Sequence, residues 1–153
     1  MRLEVTRKSD LAVRALGVLA AEQQRVKGPT LATAVGSTSG FVSQVLTPLV
    51  RRGWVRSDPG PTGGYSLAVN LDEVSVLAVI EAIEGPTDAG QCVLVDRPGD
   101  ESATCALHAP WLRARSRLLA DLDRVPVADA ALASRARAEA EAVTGSPARG
   151  RAW

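Results

Sequence analysis

Across residues 8–67, three stretches of helical apolar spacing give way to a Gly/Pro-rich pair of short β segments. That order constrains the fold more than any other feature of the chain. In the first stretch Leu11, Ala15, Val18 and Leu19 recur at helical spacing behind Ser9 and Asp10, both good N-cap types. Gly28-Pro29-Thr30 closes one element and opens another, with Thr30 the expected cap of a short helix over 31–35. Gly36 suits a tight interhelical turn that needs positive φ, and Ser39 is the next expected cap. Val42, Val45, Leu46 and Leu49 then form an inward stripe at i, i+3, i+4 and i+7. Gly40, Ser43, Gln44, Thr47 and Arg51 fall on the opposite face, and Pro48 is expected to kink this helix or end it early. Residues 54–56 and 65–67 read as two strands around a turn whose Pro and Gly suit a protruding hairpin. The fold class expected is mainly α with a small β wing: a winged helix-turn-helix followed by a long C-terminal helix.

Beyond the hairpin, a helix over 76–84 has Ser75 as cap and Gly85-Pro86 as stop. Residues 87–104 are turn-like and contain Cys92; they close on Cys105-Ala106-Leu107-His108. A longer helix is expected from Pro110 to about residue 123, with Trp111, Leu112, Leu118, Leu119 and Leu122 forming a stripe that needs a partner surface. From Ala130 the Ala/Arg/Glu-rich chain reads as a frayed helix, and residues 146–153 as a disordered end. Three parts result: a helical module with its hairpin over 1–70, a cysteine-bearing loop and long helix over 71–130, and a partly disordered tail over 131–153.

Charge separates the first two parts. Residues 1–70 carry nine Lys/Arg against four Asp/Glu, a net +5, whereas residues 71–125 carry five against ten, a net −5. A basic module suits phosphate contact. A helix-turn-helix puts the start of its second helix in the major groove. There Gln44 can bond to adenine N6 and N7, and Ser43 and Thr47 to bases or phosphates. Arg51, Arg52 and Arg56 are better suited to the phosphate backbone, which sets register without reading sequence. The other use of such a trihelical core is protein contact. No uncharged apolar run reaches the roughly 18 residues of a membrane span. The N-terminus carries charges where a signal peptide would be apolar, so the location expected is cytoplasmic.

The chain has two cysteines and one histidine. Cys92, Cys105 and His108 suit a metal centre or a redox-active thiol pair better than a structural disulfide in such a compartment. A Cys/His nucleophile–base pair fits less well, because no oxyanion-type glycine turn sits beside Cys105 and His108 lies on the same short segment. The chain is therefore not expected to be an enzyme.

Met1-Arg2-Leu3, Ser9-Asp10-Leu11-Ala12-Val13-Arg14-Ala15-Leu16, Val45-Leu46-Thr47-Pro48-Leu49, Gly53-Trp54-Val55, residues 60–65, Val79-Ile80-Glu81-Ala82-Ile83-Glu84-Gly85 and Cys105-Ala106-Leu107-His108 stand in order. In these segments, over about residues 1–130, the chain resembles the bacterial winged-helix regulators of the IscR/NsrR/RirA type. The resemblance implies a homodimer paired through the helix after the cysteines and reading a pseudo-palindromic operator in double-stranded DNA. It implies DNA contacts from Thr30, Ser39, Gly40, Ser43, Gln44, Thr47, Arg51 and Arg56, and from the wing at Gly63 and Gly64. It also implies an iron–sulfur cluster, [2Fe–2S] for this donor set, held by Cys92, Cys105 and His108. Asp10 would be the fourth ligand, reaching across the dimer, and the signal would be redox state, nitric oxide or iron–sulfur supply. A cluster-free or thiol-switch regulator is the alternative within the same family, and zinc in place of the cluster is a further one. Two positions depart from the pattern: Pro59 stands where such wings carry Arg, and Gly99 near where a middle cysteine is expected.

Overall fold

Thr6, three residues ahead of the expected cap, starts the first helix: its Oγ1 accepts from the Ser9 backbone N–H at 3.3 Å. The computed structural model describes residues 5–87 and 106–144, with the side chains of 141–144 excepted. α1 runs Arg7–Glu22 and buries Leu11, Ala12, Ala15, Leu16 and Leu19. Ser9, expected at the cap, lies inside the helix and is fully buried.

α2 (Gly28–Ala34) begins two residues before Thr30 and has no side-chain cap. Pro29 supplies a fixed φ in its first turn, so Thr30 becomes an exposed early helical residue instead of a cap. Gly36 turns the chain at φ +62. Thr38, one residue ahead of Ser39, caps α3 (Ser39–Arg51) by accepting from the Phe41 N–H at 3.3 Å. The expected stripe of Val42, Val45, Leu46 and Leu49 is buried. Pro48 does not end the helix. It removes one rung of the ladder, and Leu49, wholly buried one residue on, keeps the last turn in the core.

β1 (Val55–Asp58) and β2 (Gly64–Leu67) pair antiparallel in the register Val55↔Leu67 to Asp58↔Gly64. Val26, from the α1–α2 connection, exchanges two backbone hydrogen bonds of 2.8 Å with Tyr65 and anchors the hairpin to the helices. A 3-10 turn, Leu71–Glu73, leads to α4 (Val76–Glu84). As expected, Ser75 Oγ caps α4 by accepting from Ala78 N–H at 3.1 Å, and Gly85 ends it at φ +89.

α5 (His108–Asp123) begins two residues before Pro110 and has no buried residue. α6 (Val127–Thr144) begins three residues before Ala130, and its first turns are docked. Val127 and Ala131 are core residues against α1, where a Cβ on Gly17 would lie 2.7 Å from Ala131 Cβ. Small side chains made this contact invisible to a search for large apolar periodicity. The α5–α6 junction is strapped to residues 74–76. Val76 N–H donates to Val125 O at 2.9 Å, Val127 N–H to Val74 O at 2.8 Å, and Ser75 Oγ to Asp123 Oδ1 at 2.8 Å. α5 is thus held at its C-terminal end while Leu107, Leu112 and Leu118 stay exposed.

Candidate nucleic-acid interface

The buried stripe of α3 fixes which of its side chains face outward. Ser39, Gly40, Ser43, Gln44, Thr47 and Arg51 are all exposed on the face opposite Val42, Leu46 and Leu49. Thr47 Oγ1 donates to Ser43 O at 2.8 Å, which uses its only proton. As placed, it offers acceptor lone pairs and so suits a base amino group better than a phosphate oxygen. Gln44 is exposed with both amide functions able to reach a base edge. Arg51 and Arg56 are exposed, while the Arg52 guanidinium lies 5.8 Å from the Trp54 ring centroid, a cation–π arrangement. Thr30 is exposed on the first turn of α2.

Gly63 and Gly64 serve the wing's own folding. Gly63 is buried, and a Cβ there would meet Asp58 O at 2.1 Å and Pro59 C at 2.8 Å. Gly64 sits at φ +150, and a Cβ there would lie 2.5 Å from Val26 O. Arg7, not singled out by spacing, lines a depression with Gly36, Ser37, Thr38 and Phe41 beside the interhelical turn.

Of the candidate metal ligands, Cys92 and Cys105 lie outside the described residues, as does Gly99. His108 is the first residue of α5 and half-buried. Asp10 is exposed in the first turn of α1, and its carboxylate lies 3.1 Å from Arg14 Nε. Arg14 in turn donates to Val35 O at 3.0 Å, at the end of α2. Asp10 is therefore one ion pair away from the backbone that enters the helix-turn-helix turn. Among the described residues, no three His, Cys, Asp or Glu side chains converge. The donor set itself, two thiolates with an imidazole and a carboxylate, is one that suits iron.

Two glutamates that sequence spacing did not single out fasten the start of the cysteine segment. Glu81 Oε1 accepts from Thr87 Oγ1 at 2.7 Å and from Thr87 N–H at 3.2 Å. The Thr87 hydroxyl, followed by its amide, holds the Glu81 carboxyl below the ordinary carboxylate range. Glu84 Oε1 accepts from Thr6 Oγ1 at 2.8 Å and from the buried Ser9 hydroxyl. The root of the cysteine segment is thereby tied to the first turn of α1, the turn that carries Asp10. Only the sequential proximity of 84 to the segment hinted at this; the partners lie 75 and 78 residues away.

The profile of the Rrf2 family, described as iron-dependent transcriptional regulator, matches residues 5–132. The HTH-type transcriptional regulator IscR of Aliivibrio salmonicida is 30% identical over 132 residues, covering 83% of this chain and 76% of that protein. IscR of Serratia proteamaculans is 29% identical over 133 residues, covering 83% and 78%. Among solved structures, Staphylococcus aureus CymR is 25% identical with a TM-score of 0.64, covering 82% of this chain and 96% of that one. T. potens IscR, at 22% identity and a TM-score of 0.66 over 88% of each chain, shares the fold. The two curated relatives are transcriptional regulators, not enzymes.

Proposed function

The chain belongs to the Rrf2 family of iron-dependent transcriptional regulators, and from that premise we propose that it is a cytoplasmic repressor whose grip on DNA is set by an iron–sulfur cluster. Residues 1–70 read the operator and residues 71–130 sense and pair, as a homodimer. The observation that carries the DNA reading is the outward face of α3, where Ser43, Gln44, Thr47 and Arg51 stand together beside a wing. In this reading Gln44 pairs with an adenine edge, while Arg51 and Arg56 hold phosphates. The exposed Leu112 and Leu118 of α5, with Leu107 just before it, support pairing with a second copy, which spaces two recognition helices about 34–36 Å apart.

Cys92, Cys105, His108 and Asp10 would hold a [2Fe–2S] cluster, whose chemistry when bound is one-electron redox change and reaction with nitric oxide. The chain's own part is mechanical. Asp10 shares Arg14 with Val35 O, so the partner Asp10 takes decides how Arg14 braces the turn before α3. Glu84 ties the root of the cysteine segment to the same first turn of α1. A second reading, a thiol switch without a cluster, is favoured by the presence of Gly99 between only two cysteines.

Selection of bound duplexes from a random pool, with and without reductant, tests the reading. It should return a two-fold symmetric site whose enrichment depends on redox state. Gln44→Ala should flatten preference at one base pair by about 1–3 kcal/mol while leaving non-specific binding nearly intact. An unsymmetric pool with no redox dependence would contradict it.

A further inference from the structure

The wing carries a carboxylate where a hairpin facing phosphates gains from a cation. Asp58 ends β1, and its Oδ2 is out of solvent with no hydrogen bond among the described residues. Compensation of that charge falls to Arg25, whose NH2 lies 2.9 Å away. Both side chains remain partly exposed, at 47% for Arg25 and 36% for Asp58. Arg25 NH1 also reaches Thr62 O, in the wing turn, at a long 3.5 Å.

Arg25 belongs to neither strand. It comes from the α1–α2 connection and is placed by its neighbour Val26, which pairs with Tyr65 through both backbone groups. The stem passes close over Gly64, where an added Cβ would lie 3.1 Å from Arg25 Cγ. The guanidinium thus spans the hairpin from the end of β1 to the turn. A guanidinium has five N–H donors, and these two contacts leave others turned to solvent.

We propose that Arg25 is the wing's DNA-contacting cation, supplied from outside the hairpin, and that Asp58 restrains it. In the free protein the pair leaves the wing tip near neutral. On DNA the remaining N–H groups of Arg25 bond to a phosphate oxygen, and Asp58 weakens that contact by repelling the same phosphates. The proposal rests on the reading that the wing faces DNA. A strap with a purely structural role makes a different prediction, because loss of either partner then loosens the hairpin and weakens DNA binding alike.

The test is fluorescence anisotropy of the full chain on its selected duplex across a series of KCl concentrations, with thermal unfolding of each variant as a folding control. Asp58→Asn, which keeps the shape, should bind more tightly and steepen the log K against log salt slope by about 1. That slope corresponds to roughly a 4-fold extra loss between 50 and 200 mM salt. Arg25→Ala should bind more weakly with a slope shallower by about 1, Arg25→Lys should recover part of the loss, and Arg25→Ala/Asp58→Asn should fall between the single variants. Both single variants weakening DNA binding with unchanged slopes would overturn the proposal while leaving the DNA-binding reading intact. A wild-type chain that binds no duplex at any salt would overturn both.

Discussion

Helices α5 and α6 have similar lengths, 16 and 18 residues, and end in opposite surroundings. α5 carries a tryptophan and four leucines and buries none of them within the subunit. α6 has one leucine, Leu132, which is 64% exposed, while the alanine beside it is core. What docks the first turns of α6 is the shape opposite them. Gly17 opens a slot in α1 that a small side chain fills, and close approach of two backbones then gives contact along the helix. Apolar content alone therefore ranks the two helices in the wrong order. The exposed leucines of α5 are what the proposed pairing with a second copy would cover.

The largest test of that contrast is Gly17→Val. It drives a branched side chain into Ala131 and should destabilise the chain by about 3 kcal/mol. Calorimetry should show the melting temperature lowered by roughly 6–12 °C. A melting temperature unchanged within error would mean that α6 does not dock through this slot. Next in size is Ser75→Ala, which removes the cap of α4 together with the tether to Asp123 at the α5–α6 junction. Urea unfolding should register a loss of about 1 kcal/mol. Asp123→Ala, which keeps the cap, should lose less.

Leu112→Glu/Leu118→Glu sits on the other side of the comparison. Both positions are more than 40% exposed, so subunit stability should change by no more than about 0.5 kcal/mol per substitution. Sedimentation should nevertheless show a dimer replaced by a monomer. A dimer that survives would move the pairing surface elsewhere.

Much of this architecture is legible in the sequence, and the parts that are not share a cause. α3 was readable because Val42, Val45, Leu46 and Leu49 are large, apolar and regularly spaced. The outward face carrying Gln44 then followed by elimination. Helix starts were misjudged by up to three residues because Thr6 and Ser9, or Thr38 and Ser39, have the same chemistry, and tertiary contacts choose between them. Thr6 wins because Ser9 is needed in the core, where its hydroxyl meets Glu84. Arg25–Asp58 and Glu84–Ser9 had no local signature, since each joins elements far apart in the chain.

The smallest effect concerns the residues that lead from α4 toward α5. Thr87 holds the Glu81 carboxyl below its ordinary value of 4.5, so this contact stabilises the fold fully above that pH. The contribution disappears as pH falls through the lowered folded value. Glu81→Gln should therefore melt slightly below wild type at pH 7, and the gap should close as pH falls through the lowered folded value. A gap that persists at low pH would assign the effect to packing.

The most direct test of the whole account pairs iron and acid-labile sulfide determination on anaerobically purified protein with DNA affinity before and after cluster removal. The account predicts about two iron and two sulfide per subunit, absorbance between about 400 and 480 nm lost in Cys92→Ala, and an affinity that changes when the iron leaves. Iron-free, colourless protein that binds its selected duplex with the same affinity in every redox state would contradict it.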